Sequence, residues 1–361
     1  TSPEQQPRAL LFSSEFPPGP GGIGQHAYQL VRHLTHMGWK IGVLSPQPYV
    51  PAAERDAFNR RQPFVVTPLP DRSGGLGWMP ARLQLIQSAI RAHRPVLLIA
   101  TGQRALLTTW AFGIAHRLPW VAVGHGSEFL SRSSLNRAMT RHALESAAAV
   151  IAVSDYTAGL IRAAATPRRL LVIPNAADGE RFRPGLAAAA LRRRWGVGDG
   201  PVVLTVGQVS ERKAQDVIIR ALPRVLAKHP DVTYVMAGLP TRREPLAALA
   251  AELGVADRVR FAGVVADEDL PATYNLADVF ALVSRRTATG DVEGYGIVVQ
   301  EAALCGVPAV VSRDCGLTEA IREGETGLSV PPDDPEATAA AILTLLDDMP
   351  RRREMGRRAR E

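Results

Sequence analysis

Cysteine is scarce in this sequence: the 361 residues include only Cys305 and Cys315. Two cysteines cannot build the disulfide framework of a small secreted protein or a cysteine-rich metal site. Apolar runs are short as well, since 96–100 and 120–123 fall far below the ~20 residues that cross a bilayer. The first seven residues lack the apolar core of a signal peptide. We therefore expect a cytoplasmic protein, with peripheral contact at the inner face of the membrane as the membrane role left open.

Aromatic residues are also few, at 6% of the sequence, and they do not alternate with basic residues. Single-stranded nucleic acid is bound by such stacking platforms beside cations, so we expect no nucleic-acid partner. The chain carries 42 Lys+Arg against 35 Asp+Glu, a formal net charge of +7. Residues 1–174 hold 18 basic and 8 acidic side chains, a net +10, and the remainder holds 24 and 27, a net −3. This excess points to an anionic partner of the first half, with a solvated arginine-rich surface as the alternative.

The length fits two domains of ordinary size better than one. Short β-type runs alternate with amphipathic helical segments, which is typical of parallel sheets with right-handed crossovers. The predicted strands are 8–13, 40–45, 64–67, 95–100, 120–123, 149–153 and 170–173, then 202–206, 233–237, 259–261, 279–283, 309–311 and 327–330. Prolines and turn-forming residues after position 174 interrupt the rhythm. The fold class predicted from this pattern is α/β, with two doubly wound, Rossmann-like domains facing a cleft.

Within that fold we place four segments. They are an N-terminal domain (1–174), a linker (175–195), a C-terminal domain (196–345) and a basic tail (346–361) that is expected to return to the first domain. Ligands of open α/β sheets bind beyond the carboxyl ends of the strands, so functional residues should follow strands directly.

A glycine-rich segment follows the first predicted strand, where Gly19, Gly21 and Gly24 spell G-x-G-x-x-G. This spacing alone suggests a dinucleotide-binding turn. An NAD(P) site also needs an acidic residue after the second strand, which here ends Val43-Leu44-Ser45-Pro46. An NAD(P)-dependent oxidoreductase therefore stays only as an alternative. Together with Gly22, the glycines instead predict a helix start whose N–H groups bind an anion such as phosphate.

Lysine is rare in a chain that otherwise uses arginine, and Lys213 is one of three. It lies beside Arg212 in a segment that follows a predicted strand and opens a helix. Two cations at a helix start oppose the helix dipole unless an anion binds there. This pair therefore predicts a phosphate-binding site, with a solvated basic turn as the alternative.

A second glycine-rich turn precedes an apolar helix in the second half, at Gly294 and Gly296. It too predicts an anion site made of backbone N–H groups. Glu293 lies in this turn and Glu301 lies about one turn into the helix. Carboxylates beside phosphates would be repelled by them, so we interpret this pair as acceptors for sugar or ribose hydroxyls.

These motifs resemble, in content and order, the retaining glycosyltransferases of family 4, which have the two-domain GT-B fold. Glu293 and Glu301 match the E-x7-E motif of that family. The resemblance extends over nearly the whole chain, through Gly21-Gly22, His125-Gly126, Val153-Ser154, Ile173-Pro174-Asn175 and the Lys213 segment. The stretch around Glu293 is similar to the branch that contains bacterial phosphatidylinositol mannosyltransferases.

The resemblance implies transfer of a glucose- or mannose-type hexose from a UDP- or GDP-sugar to an acceptor hydroxyl, with retention at the anomeric carbon. It implies that His125, Glu293 and Lys213 act in catalysis, with His125 near the reacting carbon. The donor-binding residues implied in the same way are Gly21, Gly22, Gln208, Arg212, Lys213, Gly238, Gly263, Val264, Glu293, Gly294, Gly296, Ile297, Val298 and Glu301. A nucleotide-sugar epimerase of the same fold is the second alternative.

The sequence departs from the family at Gln208, where members usually carry arginine. Glutamine can donate hydrogen bonds to phosphate but brings no charge, so we expect Arg212 to compensate. No metal and no cofactor are expected. Asp267 and Asp269 imitate a D-x-D metal motif, but their place before a short helix predicts a helix cap.

The acceptor is expected on the basic first domain, where Trp78, Arg137 and Ser154 are the candidate contacts. Arg132, Arg137 and Arg141 lie on one helical segment, and a glycine-rich loop leads into Trp78. Both features fit a membrane lipid or a saccharide as acceptor, with an ordinary amphipathic core helix as the alternative. We also expect Lys213→Ala and Glu293→Ala to abolish transfer while leaving the fold intact.

Overall fold

A computed structural model of the chain describes residues 6–19, 21–71, 77–130 and 133–361. The chain forms two compact units, Thr1–Pro174 and Asn175–Glu361. Each unit is built around one parallel β-sheet with helices packed against it. Arg132 and most of the glycine-rich loop before Trp78 lie outside the described residues.

The first unit contains a seven-stranded parallel sheet. Its strands are β1 Arg8–Ser13, β2 Lys40–Ser45, β3 Val65–Pro68, β4 Leu97–Thr101, β5 Trp120–Gly124, β6 Ala149–Ala152 and β7 Leu170–Val172. The strand order is β3-β2-β1-β4-β5-β6-β7. The chain therefore reverses its direction of winding between β1 and β4, whose carboxyl ends are paired at Ser13 and Thr101.

Helices connect these strands and bury apolar faces against the sheet. They are α1 Gly22–His36, α2 Ala52–Arg60, α3 Trp78–His93, α4 Gln103–His116, α5 Ser134–Ser146 and α6 Asp155–Ala164. The core is formed by side chains such as Phe12, Leu98, Leu144 and Ile161, each 1% exposed or less. Strands that are covered on both faces read as continuous apolar runs, which is why the pattern was legible in the sequence.

The second unit contains a six-stranded parallel sheet. Its strands are β8 Val202–Val206, β9 Thr233–Ala237, β10 Val259–Gly263, β11 Val279–Leu282, β12 Ala309–Ser312 and β13 Gly327–Val330. The strand order is β10-β9-β8-β11-β12-β13, so the winding reverses between β8 and β11. The two sheets thus share one doubly wound design, which confirms the predicted α/β class with two Rossmann-like domains.

Seven helices are described in this unit: α7 Ala189–Arg194, α8 Gln215–Leu226, α9 Arg243–Glu252, α10 Leu270–Asn275, α11 Ile297–Leu304, α12 Pro335–Asp347 and α13 Met349–Arg360. Helices α8 and α12 pack together on the sheet through fully buried side chains, among them Ile218, Leu222 and Ile342. None of the described helices is long and apolar enough to span a membrane.

The predicted basic tail forms α13, which packs on the second unit itself. Met355 is 2% exposed and lies in the core of this unit. A Cβ at Gly356 would come within 2.0 Å of the carbonyl oxygen of Gly306, so the helix backbone lies directly on the end of α11. Arg352 donates to Asp278 at 2.9 Å. A return of the tail to the first unit stays a prediction.

The predicted cap of the helix at Leu270 is corrected by the structure. Asp269 occupies the N-cap position of α10, but its side chain accepts no capping hydrogen bond. It lies 3.7 Å from the guanidinium of Arg194, and Asp267 pairs with Arg181 at 2.8 Å. The acidic residues pair instead with arginines from the segment that was predicted as a linker.

The close approach of α13 predicts the effect of a single methyl group. Gly356→Ala should lower the free energy of unfolding of the second unit by about 1–3 kcal/mol, because the backbone of Gly306 cannot move aside as a side chain would. Gly159→Ala is the matched control, since Gly159 is also helical but has no described atom within 4 Å of its Cβ position. That change should raise stability by about 0.5–1 kcal/mol. Equal shifts of the urea midpoint in both variants would contradict the docking.

Candidate functional site

The turns after β8 and β11 meet where the second sheet reverses its winding. The backbone N–H of Arg285, which follows β11, donates to the carbonyl oxygen of Arg212 at 2.8 Å. Arg212 lies 73 residues earlier in the chain, in the turn after β8. Neighbouring parallel strands bring these turns to one edge of the sheet, which is the usual place for a ligand in an open α/β fold.

Four charged side chains are paired at this edge. The Glu293 carboxylate lies 2.7 Å from Lys213 Nζ and also accepts from Arg212 Nη1. Arg212 Nε pairs with Asp291 at 3.1 Å. The side chains of Lys213 and Glu293 are only 9% and 12% exposed. Burying ions this deeply is costly unless they are paired, so Glu293 compensates the two cations.

The electrostatics of Glu293 follow from these contacts. Burial acts to raise its pKa, but the Arg212 guanidinium and the Lys213 ammonium outweigh burial and hold the pKa at about 2. Burial also lowers the pKa of Lys213, although Glu293 opposes that shift. Glu293 is therefore a carboxylate at every physiological pH.

Backbone glycines from three adjacent strands border this cluster. Gly207, Gly238 and Gly263 stand at the carboxyl ends of β8, β9 and β10. A Cβ at Gly238 would lie 2.1 Å from the carbonyl oxygen of Gly207, and its N–H donates to Gly263 at 2.7 Å. The stem of Lys213 packs over Gly207, with Cε 3.3 Å from where a Cβ would stand. Val264, the next predicted donor residue, is 61% exposed.

The predicted anion turn lies on the other side of β11. Gly296, at φ 84°, is the N-cap of α11 and provides no side-chain cap, and the first turn at Ile297 and Val298 has no acidic residue. Gly316 packs against the carbonyl of Gly294, and its N–H donates to the carbonyl oxygen of Glu293 at 2.9 Å. A helix start of this kind is favourable for an anion.

Glu301 has a different environment from Glu293. Its Oε2 accepts a hydrogen bond of 2.5 Å from the hydroxyl of Tyr274. Burial raises the pKa of Glu301 to about 6, although Tyr274 and the charge of Arg181 act to lower it. The two carboxylates of the E-x7-E motif therefore have pKa values shifted in opposite directions.

Gln208 is exposed and stands at the rim of this edge. Its side-chain Nε2 lies 3.4 Å from Thr241 Oγ1, and its backbone carbonyl oxygen accepts a hydrogen bond from Gln215 Nε2 at 3.1 Å. Arg212, the residue expected to compensate for the missing arginine, already pairs with Asp291 and Glu293. Any role for Arg212 toward a phosphate thus involves an exchange of partners.

In the first unit, the predicted anion loop has a negative charge of its own. A Cβ at Gly21 would lie 2.0 Å from a carboxylate oxygen of Glu15. The Glu15 side chain therefore lies at the start of α1, where the helix dipole favours an anion. No described atom lies within 4 Å of the Cβ position at Gly22, so the backbone is open there.

His125 follows β5 and is fixed by its neighbours. Its Nε2 lies 2.7 Å from the hydroxyl of Thr101, and its backbone N–H donates to Glu128 at 2.6 Å. The ring of His26 meets it edge-on, with 5.0 Å between centroids. Burial lowers the pKa of His125 well below its usual range, and His26 adds to the shift. His125 is therefore neutral at pH 7.

The three candidate acceptor contacts differ in their exposure to solvent. Arg137 is exposed on α5, and Trp78 begins α3 and is partly exposed. Ser154 is fully buried, and its hydroxyl accepts from the N–H of Thr157 as the cap of α6. The hydroxyl of Ser154 thus caps α6, and its assignment as an acceptor contact stays a prediction.

Some residues of the site gave no signal in the sequence. Tyr274, Asp291, Thr101 and His26 touch the predicted site residues, but each lies far from its partner along the chain or belongs to no motif. Among the described residues, no group of three or more His, Cys, Asp or Glu side chains is arranged to hold a metal ion.

Comparison with known proteins identifies the family. A family model described as glycosyl transferases group 1 matches residues 189–361, and one described as glycosyltransferase family 4 matches residues 20–181. A curated relative from Mycolicibacterium smegmatis is 34% identical over 366 residues, which cover 96% of this chain and 91% of the relative. This chain belongs to the family 4, group 1 glycosyltransferases. That membership leaves no support for the oxidoreductase or epimerase alternatives.

The relatives carry specific names. The Mycolicibacterium protein is a GDP-mannose-dependent alpha-(1-6)-phosphatidylinositol monomannoside mannosyltransferase, and one of the same name from Mycobacterium tuberculosis is 32% identical over 98% of this chain and 93% of its own. Among solved structures, HepE from Anabaena, in complex with UDP and glucose, aligns with a TM-score of 0.81 at 24% identity, covering 98% of this chain and 93% of that one. At that identity, the similarity establishes the shared fold of this glycosyltransferase and no more.

The opposite pKa shifts of the two glutamates predict opposite effects on stability. Glu293 stabilises the folded glycosyltransferase above its unfolded pKa, and this contribution of about 3 kcal/mol is lost as the pH falls from about 4.5 to about 2. Glu301 lowers stability by about 2 kcal/mol at pH 7, and this cost disappears as the pH falls from about 6 to about 4.5. At pH 7, Glu293→Gln should therefore lower the Tm and Glu301→Gln should raise it.

Thermal denaturation of both variants at pH 7 and pH 4.5 checks this prediction. The gain from Glu301→Gln should shrink at pH 4.5, whereas the loss from Glu293→Gln should persist there because Arg212 and Lys213 stay charged. Shifts of the same sign at pH 7 would contradict the opposite environments. The ion pairs also change the expectation for Glu293→Ala and Lys213→Ala. The first removes the carboxylate that pairs with the buried Lys213 ammonium, and the second leaves Glu293 with Arg212 alone, so each should cost stability as well as activity.

Proposed function

We propose that this glycosyltransferase moves mannose from GDP-mannose to a hydroxyl of an inositol phospholipid that already carries mannose, with retention at the anomeric carbon. The observation that carries the donor part is the buried group of Arg212, Lys213 and Glu293 at the reversal point of the second sheet. The similarity over nearly the full length to the mycobacterial mannosyltransferases supports the choice of GDP-mannose and of a lipid acceptor.

In this proposal the donor diphosphate binds the two cations. Its charge replaces that of Glu293 beside Lys213 and Arg212, and the N–H groups at the start of α11 supply further hydrogen bonds. Glu293 is then released to accept hydroxyls of the hexose, while Glu301 accepts those of the ribose. The exchange keeps the buried cations paired in both states, which is the condition that burial imposes on them.

The chemical step follows from the same groups. The bond between the anomeric carbon and the diphosphate oxygen breaks, and the acceptor oxygen bonds to that carbon on the same face. The acceptor's proton passes to the leaving phosphate oxygen. Negative charge grows on the diphosphate as it leaves, so the fixed cations bind the transition state more tightly than the substrate. Arg212 and Lys213 supply this charge without a metal ion. His125, neutral and fixed by Thr101, is proposed to contact the hexose.

The acceptor is proposed to meet the first unit at α5. Every residue from Ser133 to Ala138 is exposed, including Leu135 at 67% and the cationic Arg137. On α3, Met79 and Leu83 are exposed at 44% and 47%. Apolar and basic side chains presented together favour an anionic lipid surface over a soluble saccharide. The net +10 of residues 1–174 acts in the same direction.

The donor site is tested with Lys213→Met, which keeps an apolar stem over Gly207 but removes the charge. We expect kcat/KM with GDP-mannose to fall by at least 100-fold, because one fixed cation at the leaving group is worth about 3 kcal/mol. Lys228→Met is the control, since Lys228 is 62% exposed and its partner among the described residues is the surface residue Asp347. It should leave the rate unchanged.

Two further measurements accompany the Lys213→Met experiment. GDP should raise the Tm of the unaltered protein more than UDP or ADP does, since a ligand that binds the folded state stabilises it. The product, analysed by NMR, should keep the anomeric configuration of the donor. Unchanged turnover in Lys213→Met, or an inverted product, would reject the donor site or the retaining mechanism, respectively.

The membrane part is tested by flotation with vesicles that contain phosphatidylinositol, at low salt. The unaltered chain should float with them, and Leu135→Ser combined with Arg137→Glu should reduce the bound fraction several-fold by removing an apolar contact and inverting a charge. Arg220→Glu, an equal charge change on an exposed residue of α8 in the second unit, is the control and should bind as before. Failure of the unaltered chain to float would remove the lipid-surface proposal.

A further inference from the structure

Tyr274 is held rigidly inside the second unit. Its side chain is fully buried in α10. The ring packs edge-on against Phe182, with 5.7 Å between centroids, and tilted against Phe280 at 5.9 Å. A tyrosine ring has few rotamers, so these two contacts set the position of its hydroxyl. That hydroxyl donates to Glu301 Oε2 at 2.5 Å.

Two other groups near Glu301 have other partners or carry no charge. Arg181 donates to the carbonyl oxygen of Asp267 at 2.6 Å, pairs with its carboxylate at 2.8 Å, and lies over the ring of Phe182. Burial raises the pKa of the nearby Cys305 thiol to about 12, so this group is uncharged. The hydrogen bond from Tyr274 is therefore the described contact that orients the Glu301 carboxylate.

A glutamate on a helix surface can turn about three side-chain bonds, and fixing it costs up to about 2 kcal/mol of rotamer entropy. A hydrogen bond from a rigid donor removes part of this cost before any ligand arrives. It also leaves the second carboxylate oxygen as an acceptor in a set direction. The two hydroxyls of a ribose have fixed positions relative to each other. A carboxylate that rotates freely cannot accept a hydrogen bond from both of them at once, so a fixed orientation favours their binding.

We propose that Tyr274 is a positioning residue for donor binding: it holds Oε2 of Glu301 so that the other oxygen accepts the ribose hydroxyls of the nucleotide. The proposal rests on the proposed function, in which Glu301 meets the ribose. It adds that the selection for a ribonucleotide depends on a residue that does not touch the donor. Tyr274 is outside the E-x7-E motif and 27 residues before Glu301.

The experiment compares GDP with 2′,3′-dideoxy-GDP by calorimetry, in the full chain and in Tyr274→Phe. The unaltered protein should bind GDP at least tenfold more tightly, since a hydrogen bond to a charged group is worth at least this factor. Tyr274→Phe should weaken the binding of GDP about tenfold and leave the binding of dideoxy-GDP unchanged, so that the preference for GDP falls about tenfold. Phenylalanine keeps both ring contacts, and the fold is checked by thermal denaturation.

Tyr234→Phe is the matched control. Tyr234 is equally buried in the same unit, and its hydroxyl lies 2.9 Å from Thr205 Oγ1. The change removes one buried hydroxyl in each case, but only Tyr274→Phe should alter the preference for the ribose. An equal loss of preference in Tyr234→Phe would overturn the proposal and leave Tyr274 a purely structural residue.

The remaining outcomes separate the inference from the function on which it rests. If the unaltered protein binds GDP but shows no preference over the dideoxy form, the assignment of Glu301 to the ribose is wrong. If the preference exists and persists in Tyr274→Phe, the assignment of Glu301 stands and the positioning role of Tyr274 is rejected. Absence of GDP binding in the unaltered protein would count against the proposed donor and overturn the inference with it.

Discussion

A carboxylate that must neutralise two buried cations organises the second unit. Glu293 can meet Lys213 and Arg212 only if the turns after β8 and β11 are held at one sheet edge, and the link from Arg285 to Arg212 holds them there. Two close backbone contacts help to keep these turns in place. Gly238 packs against Gly207, and Gly316 packs against Gly294 in the turn that contains Glu293. The cost of an unpaired buried ion is several kcal/mol, which exceeds any single contact around it.

The two glutamates of one motif show how position decides chemistry. Eight residues apart, one lies between cations and the other beside a phenol in an apolar setting. The first therefore stays ionised and contributes to folding, whereas the second is ionised at neutral pH against the preference of its surroundings. Charges kept at such a cost are typical of residues retained for function, since stability alone would favour a neutral side chain there.

Much of this was readable from the sequence. The confirmed fold class followed from apolar strand runs at regular spacing, and the site edge followed from glycines and cations placed just after strands. What was missed depends on distance in space: the pairing of Arg212 with Asp291, the contact of Tyr274 with Glu301 and the burial of Ser154 arise when separate segments pack. A serine at a strand end looks the same in sequence whether it faces a ligand or caps a helix.

The strand ends at Gly207, Gly238 and Gly263 carry one further consequence. Peptide groups are in direct contact there, and a side chain at Gly238 would overlap the backbone of its neighbour. A planar ligand group that binds on this surface would contact main-chain atoms. Substitutions cannot change the position of these atoms without disrupting the edge of the sheet. If the proposed donor binds at this edge, a new donor preference would therefore have to come from the rim, where Val264 and Gln208 have side chains exposed to solvent.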